Sequence, residues 1–344
     1  MSDPAPPHSS AAAPDAMQPT RGRASGRFRI VSWLLAAACF YSVYAKIAQR
    51  AAAEGMSAVE YVARFFSGAD WVLWLATMIP YSCVFFLIDS FAITTVVRWF
   101  NAPVRYLDIL PVRASSYILA LLNEQVGKGA MALYLHRRNG VPGWEVGSSM
   151  LFVAITELYQ LLTFSAIGTW LNFDRIRQAA AQPGAYPLDV ILPSVFVAAA
   201  LYAPLHLAFF SERFGPRGGG AARLRERPIF LAFRRARLRH YLVLIAIKAP
   251  NLLLAVAVYS VALSLFKVDV GFGSLLAFLP VIFLASAIPL PFHAGALVLW
   301  QVLFPDYPEV GIFSLVMHTF FVVFNAAIGL LFLPHANREL FGSA

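Results

Sequence analysis

The chain has 344 residues, 59% of them hydrophobic and only 13% charged, with a mean hydropathy of +0.66. A soluble domain could not clothe its surface with so few polar side chains, so a polytopic membrane protein is indicated. The net charge of +9 does not point to nucleic acid, because basic residues gather in the cytoplasmic loops of membrane proteins for insertion reasons alone.

Residues 1–27 are rich in Pro, Ala and Ser and carry Arg21, Arg23 and Arg27 near their end, which reads as a disordered cytosolic tail. A signal peptide cleaved near Val43-Tyr44-Ala45 is the alternative, and the length of the tail before the apolar run argues against it. A membrane-spanning helix needs about 20 mostly apolar residues. Phe28 to Ala48, Trp71 to Val97, Trp144 to Leu171, Leu188 to Phe210, Tyr241 to Phe266 and Val310 to Leu333 meet that requirement.

Two further segments are apolar but interrupted. Ala114 to Leu135 contains "NEQVGKG" from Asn123 to Gly129, and Gly273 to Leu303 contains "PLPFHAG" from Pro289 to Gly295. Charge placement decides whether they cross. The loop 211–240 holds Arg213, Arg217, Arg223, Arg225, Arg227, Arg234, Arg235, Arg237 and Arg239 and belongs on the cytoplasmic side. With the N-terminus inside, that assignment holds only if Ala114 to Leu135 dips into the membrane and returns. The same counting makes Gly273 to Leu303 a dip from the outer side and leaves the tail 334–344 inside.

The expected fold is therefore an all-α integral membrane protein with six spanning helices and two re-entrant broken-helix segments. Two spans, a dip and a span occur in residues 28–171, and the same order recurs in opposite orientation in 186–333. Transporters built on such an inverted-topology repeat place their site near the midplane, where broken helices meet.

A break in the bilayer strands backbone polar groups and survives only where protein or water lines it. Gly127 and Gly129 would permit the first turn and a close backbone approach. Glu124 and Lys128 stand four apart, in the favoured order for a helical ion pair. A charge at membrane depth costs roughly 2.5–3.5 kcal/mol even on insertion scales, and so marks a functional site by default. Lys128 would meet an anionic headgroup with Asn123 beside it and Arg137 and Arg138 at the cytoplasmic mouth. The competing reading makes Glu124 and Lys128 a structural pair and the two arginines ordinary flanking charges.

Glu157, central in its span, would face the protein interior, pairing with Lys128 or taking up protons during transport. Asp89 and Lys248 lie nearer helix ends, where snorkelling or mutual pairing accounts for them. Pro289 and Pro291 interrupt the second broken helix, Gly295 lets the chain turn, and His293 is placed in the gap. His206, His318, Asn251 and Asn325 read as interhelical hydrogen-bonding groups.

At its two breaks the chain resembles the flippase-like membrane family that includes the transmembrane region of lysylphosphatidylglycerol synthases. "NEQVGKGAMALYLHRRNG" (Asn123 to Gly140) followed by "ITELYQLL" (Ile155 to Leu162) is similar in order and spacing to that family's first signature, with Lys128 standing where an acid is usual. "IPLPFHAGALVLWQ" (Ile288 to Gln301) resembles the second, with the glycine pair replaced and the later acid missing. The resemblance implies movement of a lipid or lipid-linked precursor between the leaflets of a bacterial-type inner membrane, with both termini cytoplasmic and anionic membrane lipids as partners.

Cys39 and Cys83 lie in separate apolar runs, far from any metal-ligand spacing, so no metal is expected. No P-loop, HExxH or GxSxG occurs, so neither a nucleotide nor another cofactor is called for. Two alternatives stay open: a membrane-embedded lipid-modifying enzyme using Glu124, Glu157 or His293 as acid or base, and a non-catalytic scaffold that binds anionic lipid through Arg223 to Arg239.

Overall fold

In a computed structural model the described residues are 24–122, 124–181, 186–211, 213–286 and 294–341, and every long element among them is helical. Six helices are long and apolar enough to cross a membrane: α1 (Ala24–Ala53), α3 (Trp71–Phe100), α6 (Gly143–Leu171), α8 (Leu188–Phe210), α11 (Leu238–Leu265) and α14 (Glu309–Phe341). These are the six expected spans, most of them a few residues longer. The chain is a multi-pass membrane protein. Its outward surface carries Val72, Ile79, Leu201, Leu205 and Leu331, a pattern that suits lipid in place of water.

The interrupted segments form two helical hairpins. α4 (Tyr106–Leu122) and α5 (Glu124–Asn139) pack together, and Arg138 at the end of α5 pairs at 3.5 Å with Asp108 at the start of α4. The chain thus returns to where it came from. α12 (Phe272–Ser286) and α13 (Ala294–Leu303) also pack together, with Phe304, just after α13, edge-on to Phe278 at the middle of α12.

Gly127 and Gly129 lie inside α5, so the chain does not turn at these glycines as expected. Gly295 similarly sits in the first turn of α13. A helical backbone already satisfies the donors that a glycine turn would have strained, which is the cheaper arrangement in lipid.

Short helices cover the membrane faces. α2 (Ala58–Ser67) is amphipathic and begins with a capping box, in which Glu60 N–H donates to Ser57 Oγ at 3.2 Å and Ser57 N–H to Glu60 Oε2 at 2.7 Å. That backbone donor holds the Glu60 carboxyl below its ordinary range. α7 (Phe173–Ala180) follows α6. α9 (Gly219–Glu226) and α10 (Leu231–Arg235) give the basic loop a folded core, tied to α6 where Ala232 N–H donates to Ser148 Oγ at 2.8 Å.

Packing partners match between the halves. α4 lies along α14 and α12 along α6, so each hairpin is carried by a span from the other half. α3 meets α4 as α11 meets α12, α5 meets α6 as α13 meets α14, and α3 and α11 pack on each other. The outer spans break the correspondence: α1 packs on α13, whereas α8 packs on α6.

Glycine makes both cross-half contacts close. A Cβ on Gly168 would lie 2.4 Å from Ala277 N, and one on Gly329 would lie 2.8 Å from Ile118 Cβ. Small residues let membrane helices approach in this way. Beside Gly168, Ser165 Oγ donates to Ala277 O at 2.8 Å and Asn172 Nδ2 to Gly273 O at 2.9 Å. Because backbone cannot yield as a side chain can, Gly168→Ala is expected to cost about 1–3 kcal/mol. The check is a lowered melting temperature in detergent, set against Gly218→Ala, where a Cβ meets open space.

Candidate functional site

Where the halves meet, a cavity of about 640 Å³ opens among α3, α4, α6, α11, α12, α13 and α14. Most of its wall is apolar, including Phe85, Ile282, Phe283, Leu297, Trp300 and Phe321. One side is polar and holds an ionic cluster assembled from four helices.

Asp89 on α3 is the centre of that cluster, with 5% of its surface accessible. Arg113 on α4 donates through Nε to Asp89 Oδ2 at 2.8 Å, with Nη2 also 2.8 Å from the same oxygen. The Tyr117 hydroxyl donates to it at 3.4 Å and lies under the Arg113 guanidinium, 4.6 Å from ring centre to Cζ. On the other side, Lys248 Nζ of α11 lies 3.5 Å from Asp89 Oδ1 and 3.0 Å from Glu157 Oε2 of α6. Among the described residues, two cations and two carboxylates give a formally neutral quartet. That balance is what makes its burial tolerable, since an unpaired charge here would face a desolvation penalty of several kcal/mol.

The members differ in access. Lys248 is buried, while Glu157 keeps 43% of its side chain accessible and lines the cavity. Glu157 is therefore the end of the chain of charges that a ligand or a proton reaches first. It lies 14 residues from each end of α6, about 21 Å along the axis, which puts it at mid-membrane.

Of the residues the sequence proposed for headgroup binding, Glu157 is seen in this cluster, joined there by Asp89 and Lys248, which the sequence read as structural. The partner of Glu157 among the described residues is Lys248; the side chain of Lys128, the partner expected from the sequence, lies outside the described residues. Asn123, Pro289, Pro291 and His293 lie outside the described residues; Glu124, Gly127 and Lys128 have a described helical backbone only. Arg137 and Arg138 end α5 at the base of the first hairpin, and Arg138 Nη1 donates to the Tyr134 hydroxyl at 2.8 Å while its Nη2 pairs with Asp108. That places Arg138 in the hairpin's closure.

Asp89 and Lys248 do pair, as one reading of the sequence expects, but they are buried and do not snorkel. Arg113, one residue before the expected start of the first interrupted segment at Ala114, lies inside α4, because that helix starts at Tyr106 and runs through Pro111. Its signal was an arginine seven residues into a helix that hydropathy alone starts too late. Of the expected interhelical groups, His206 Nε2 lies 3.2 Å from the Tyr241 hydroxyl and Asn251 Nδ2 donates to Phe85 O at 3.5 Å.

Comparison with protein-family models, with characterised proteins and with solved structures finds no match to this chain.

Proposed function

We propose that the chain is a flippase-like transporter of a lipid or lipid-linked precursor in a bacterial-type inner membrane. The observation that carries this reading is the cavity: apolar enough to admit acyl chains, it has one buried ionic corner at mid-membrane that suits a charged headgroup. Ligand sites commonly have this build, with a few polar groups in an apolar cleft of roughly 300–1,000 Å³. Tyr117 of the first hairpin and Trp300 of the second both line it, which favours a headgroup held between the two broken segments.

The inverted repeat, with both hairpins re-entrant and both termini cytoplasmic, belongs to the same proposal. It is supported by the exchanged packing of the hairpins and, for the first hairpin, by the pairing of its end with its start through Arg138 and Asp108. In the mechanism, Lys248 takes the anionic headgroup. Glu157 must then release it, and a proton on Glu157 leaves the quartet with one positive charge that balances the bound anion. The proton gradient would supply the drive.

Two measurements test the proposal. Purified protein in vesicles containing labelled lipid should accelerate exchange between leaflets without altering the lipid chemically. A modified product would favour an enzyme, and neither result a scaffold. For topology, with Cys39 and Cys83 replaced, Asn139→Cys and Gly218→Cys should resist an outside, membrane-impermeant thiol reagent, whereas Ser67→Cys should react. Strong outside labelling at Gly218→Cys would sink the inverted repeat.

A further inference from the structure

Beside the ionic quartet lie three polar side chains that the quartet does not use. Gln160 and Asn251 are each 3% accessible and Ser82 is 2% accessible, and all three line the cavity. Gln160 Nε2, Asn251 Oδ1 and Ser82 Oγ have no hydrogen-bond partner among the described residues. Leaving a buried polar atom unpaired is costly, and three around one cavity require an explanation.

All three lie on one side of the charges. Gln160 is three residues beyond Glu157 on α6, and Asn251 is three beyond Lys248 on α11, a rise of about 4.5 Å in each case. α6 and α11 run parallel, since Phe152 meets Tyr241 as Glu157 meets Lys248. α3 runs antiparallel to α11, as the contact of Asn251 with Phe85 and that of Asp70 N–H with Leu265 O require. Ser82, seven residues before Asp89, therefore joins the same neutral layer, about 10 Å along the axis from the charge. The layer faces the end of the bundle where α14 begins. Phe320 and Phe321 pack against Trp74 and Tyr81, which sets His318 and Ser314, two more polar residues of the cavity wall, beyond Ser82 toward that end.

The other side of the charges is dry. There the same helices bring Ala92 and Val96 of α3, Phe152 and Val153 of α6 and Leu244 of α11 into one apolar cluster. Tyr241, a turn further along α11, has its hydroxyl 3.2 Å from His206 Nε2. A wall of that kind offers a water none of the two to four polar partners it needs.

We infer that the neutral layer holds a chain of waters through which Glu157 exchanges its proton with one side of the membrane only, the side where α14 begins. In the orientation proposed above that is the outer side. The inference rests on the proton-coupled release proposed for Glu157 and supplies its route. The atoms left over are one donor, one acceptor and one hydroxyl that is both, and water, which gives and accepts, satisfies all three. The rise of about 10 Å from the charges to Ser82 is spanned by roughly three or four hydrogen bonds of about 2.8 Å. As Glu157 gives its proton to the first water, that water passes one of its own to the next. Each water ends with the two hydrogens it began with, and the last proton enters bulk solvent. The charged or titratable groups that face the carboxylate or its cavity among the described residues are Lys248 and Tyr259 of α11, Asp89 of α3, Arg113 and Tyr117 of α4 and His318 of α14. His318, with two ring nitrogens that can give and accept, stands on the route itself.

The test uses dicyclohexylcarbodiimide, an apolar reagent that couples to protonated carboxyls. The full-length protein is treated in sealed right-side-out and inverted membrane vesicles, and the Glu157 adduct is quantified by peptide mass spectrometry. With the two compartments buffered separately, adduct formation should rise about tenfold for each unit of acidification on the Ser67 side while Glu157 is mostly ionised. It should stay within about twofold when only the Gly218 side is acidified. After an alkaline jump on the Ser67 side, formation should stop within the mixing time, and in Gln160→Met with Asn251→Leu it should persist at least tenfold longer.

Control of the adduct by the Gly218 side, or by both sides equally, would overturn the inference and leave proton coupling intact; this arm needs no variant to fold. A folded double variant that responds as fast as the unaltered protein would overturn it equally. Adduct formation that follows neither pH would sink the route and the proton-coupled release together. Lipid exchange in the same vesicles, measured separately, then decides whether the transport reading itself stands.

Discussion

Lys248→Met is expected to abolish lipid movement and to remove about 3–5 kcal/mol of stability, the usual consequence of breaking a buried ion pair from one side. Asp89 would keep Arg113, but Glu157 would lose its 3.0 Å partner and the quartet would carry a net negative charge. The stability loss alone would not reveal a role in transport. The informative protein is Lys248→Met combined with Glu157→Gln, which leaves Arg113 and Asp89 as a neutral pair. Its melting temperature should recover most of the loss, while lipid exchange, measured at matched amounts of folded protein, should stay at the background rate. Near-normal exchange in that double variant would make the quartet scaffolding and return attention to Lys128.

Glu157→Gln should have the opposite character. Glu157 is the most accessible member of the quartet and Lys248 keeps Asp89, so the change should cost less stability than Lys248→Met. It leaves Lys248 and Arg113 against Asp89 alone, one net positive charge that no longer depends on a proton. In the unaltered protein, a proton taken up together with the anion makes binding weaken as pH rises, by at most about tenfold per pH unit for one proton.

In Glu157→Gln that slope should disappear. Binding should persist at high pH while net transport driven by a proton gradient falls to background, because the anion is held and not released. The other charged or titratable groups that face this carboxylate or its cavity among the described residues, Lys248, Asp89, Arg113, Tyr117, Tyr259 and His318, remain in place. A slope that survives the substitution would assign the proton to one of them.

The spans were legible because hydropathy over 20 residues is a strong signal, and Leu188 to Phe210 was read to the residue. The hairpins were legible through charge parity more than through their own chemistry. What failed was local. The glycines of "NEQVGKG" drew the turn toward themselves, although a glycine inside a membrane helix serves close packing as readily as a turn. α2 passed unnoticed despite Ser57 and Glu60 standing at capping-box spacing.

The site was half legible. Glu157 announced itself by being mid-span, whereas Lys248 and Asp89, 10 and 11 residues from their nearer helix ends, were explicable by snorkelling. Only tertiary packing joins Arg113 to them, across 24 residues of sequence on one side and with Lys248 far beyond on the other. The neutral layer could not have been read from sequence, since an unpaired Gln in a span looks the same as a paired one.

The exchange of hairpins between halves sets an order of biosynthesis. The face of α4 that Gly329 covers has no cover until α14 is made, about 200 residues after α4 itself. At 5–20 residues per second the first hairpin waits roughly 10 to 40 s in the membrane with an open face and a buried arginine. α12 meets no such delay, since α6 is already inserted when it emerges. The nascent first half is therefore the vulnerable species, the one that insertion chaperones would have to hold and that membrane proteases would find first when the last helix is truncated.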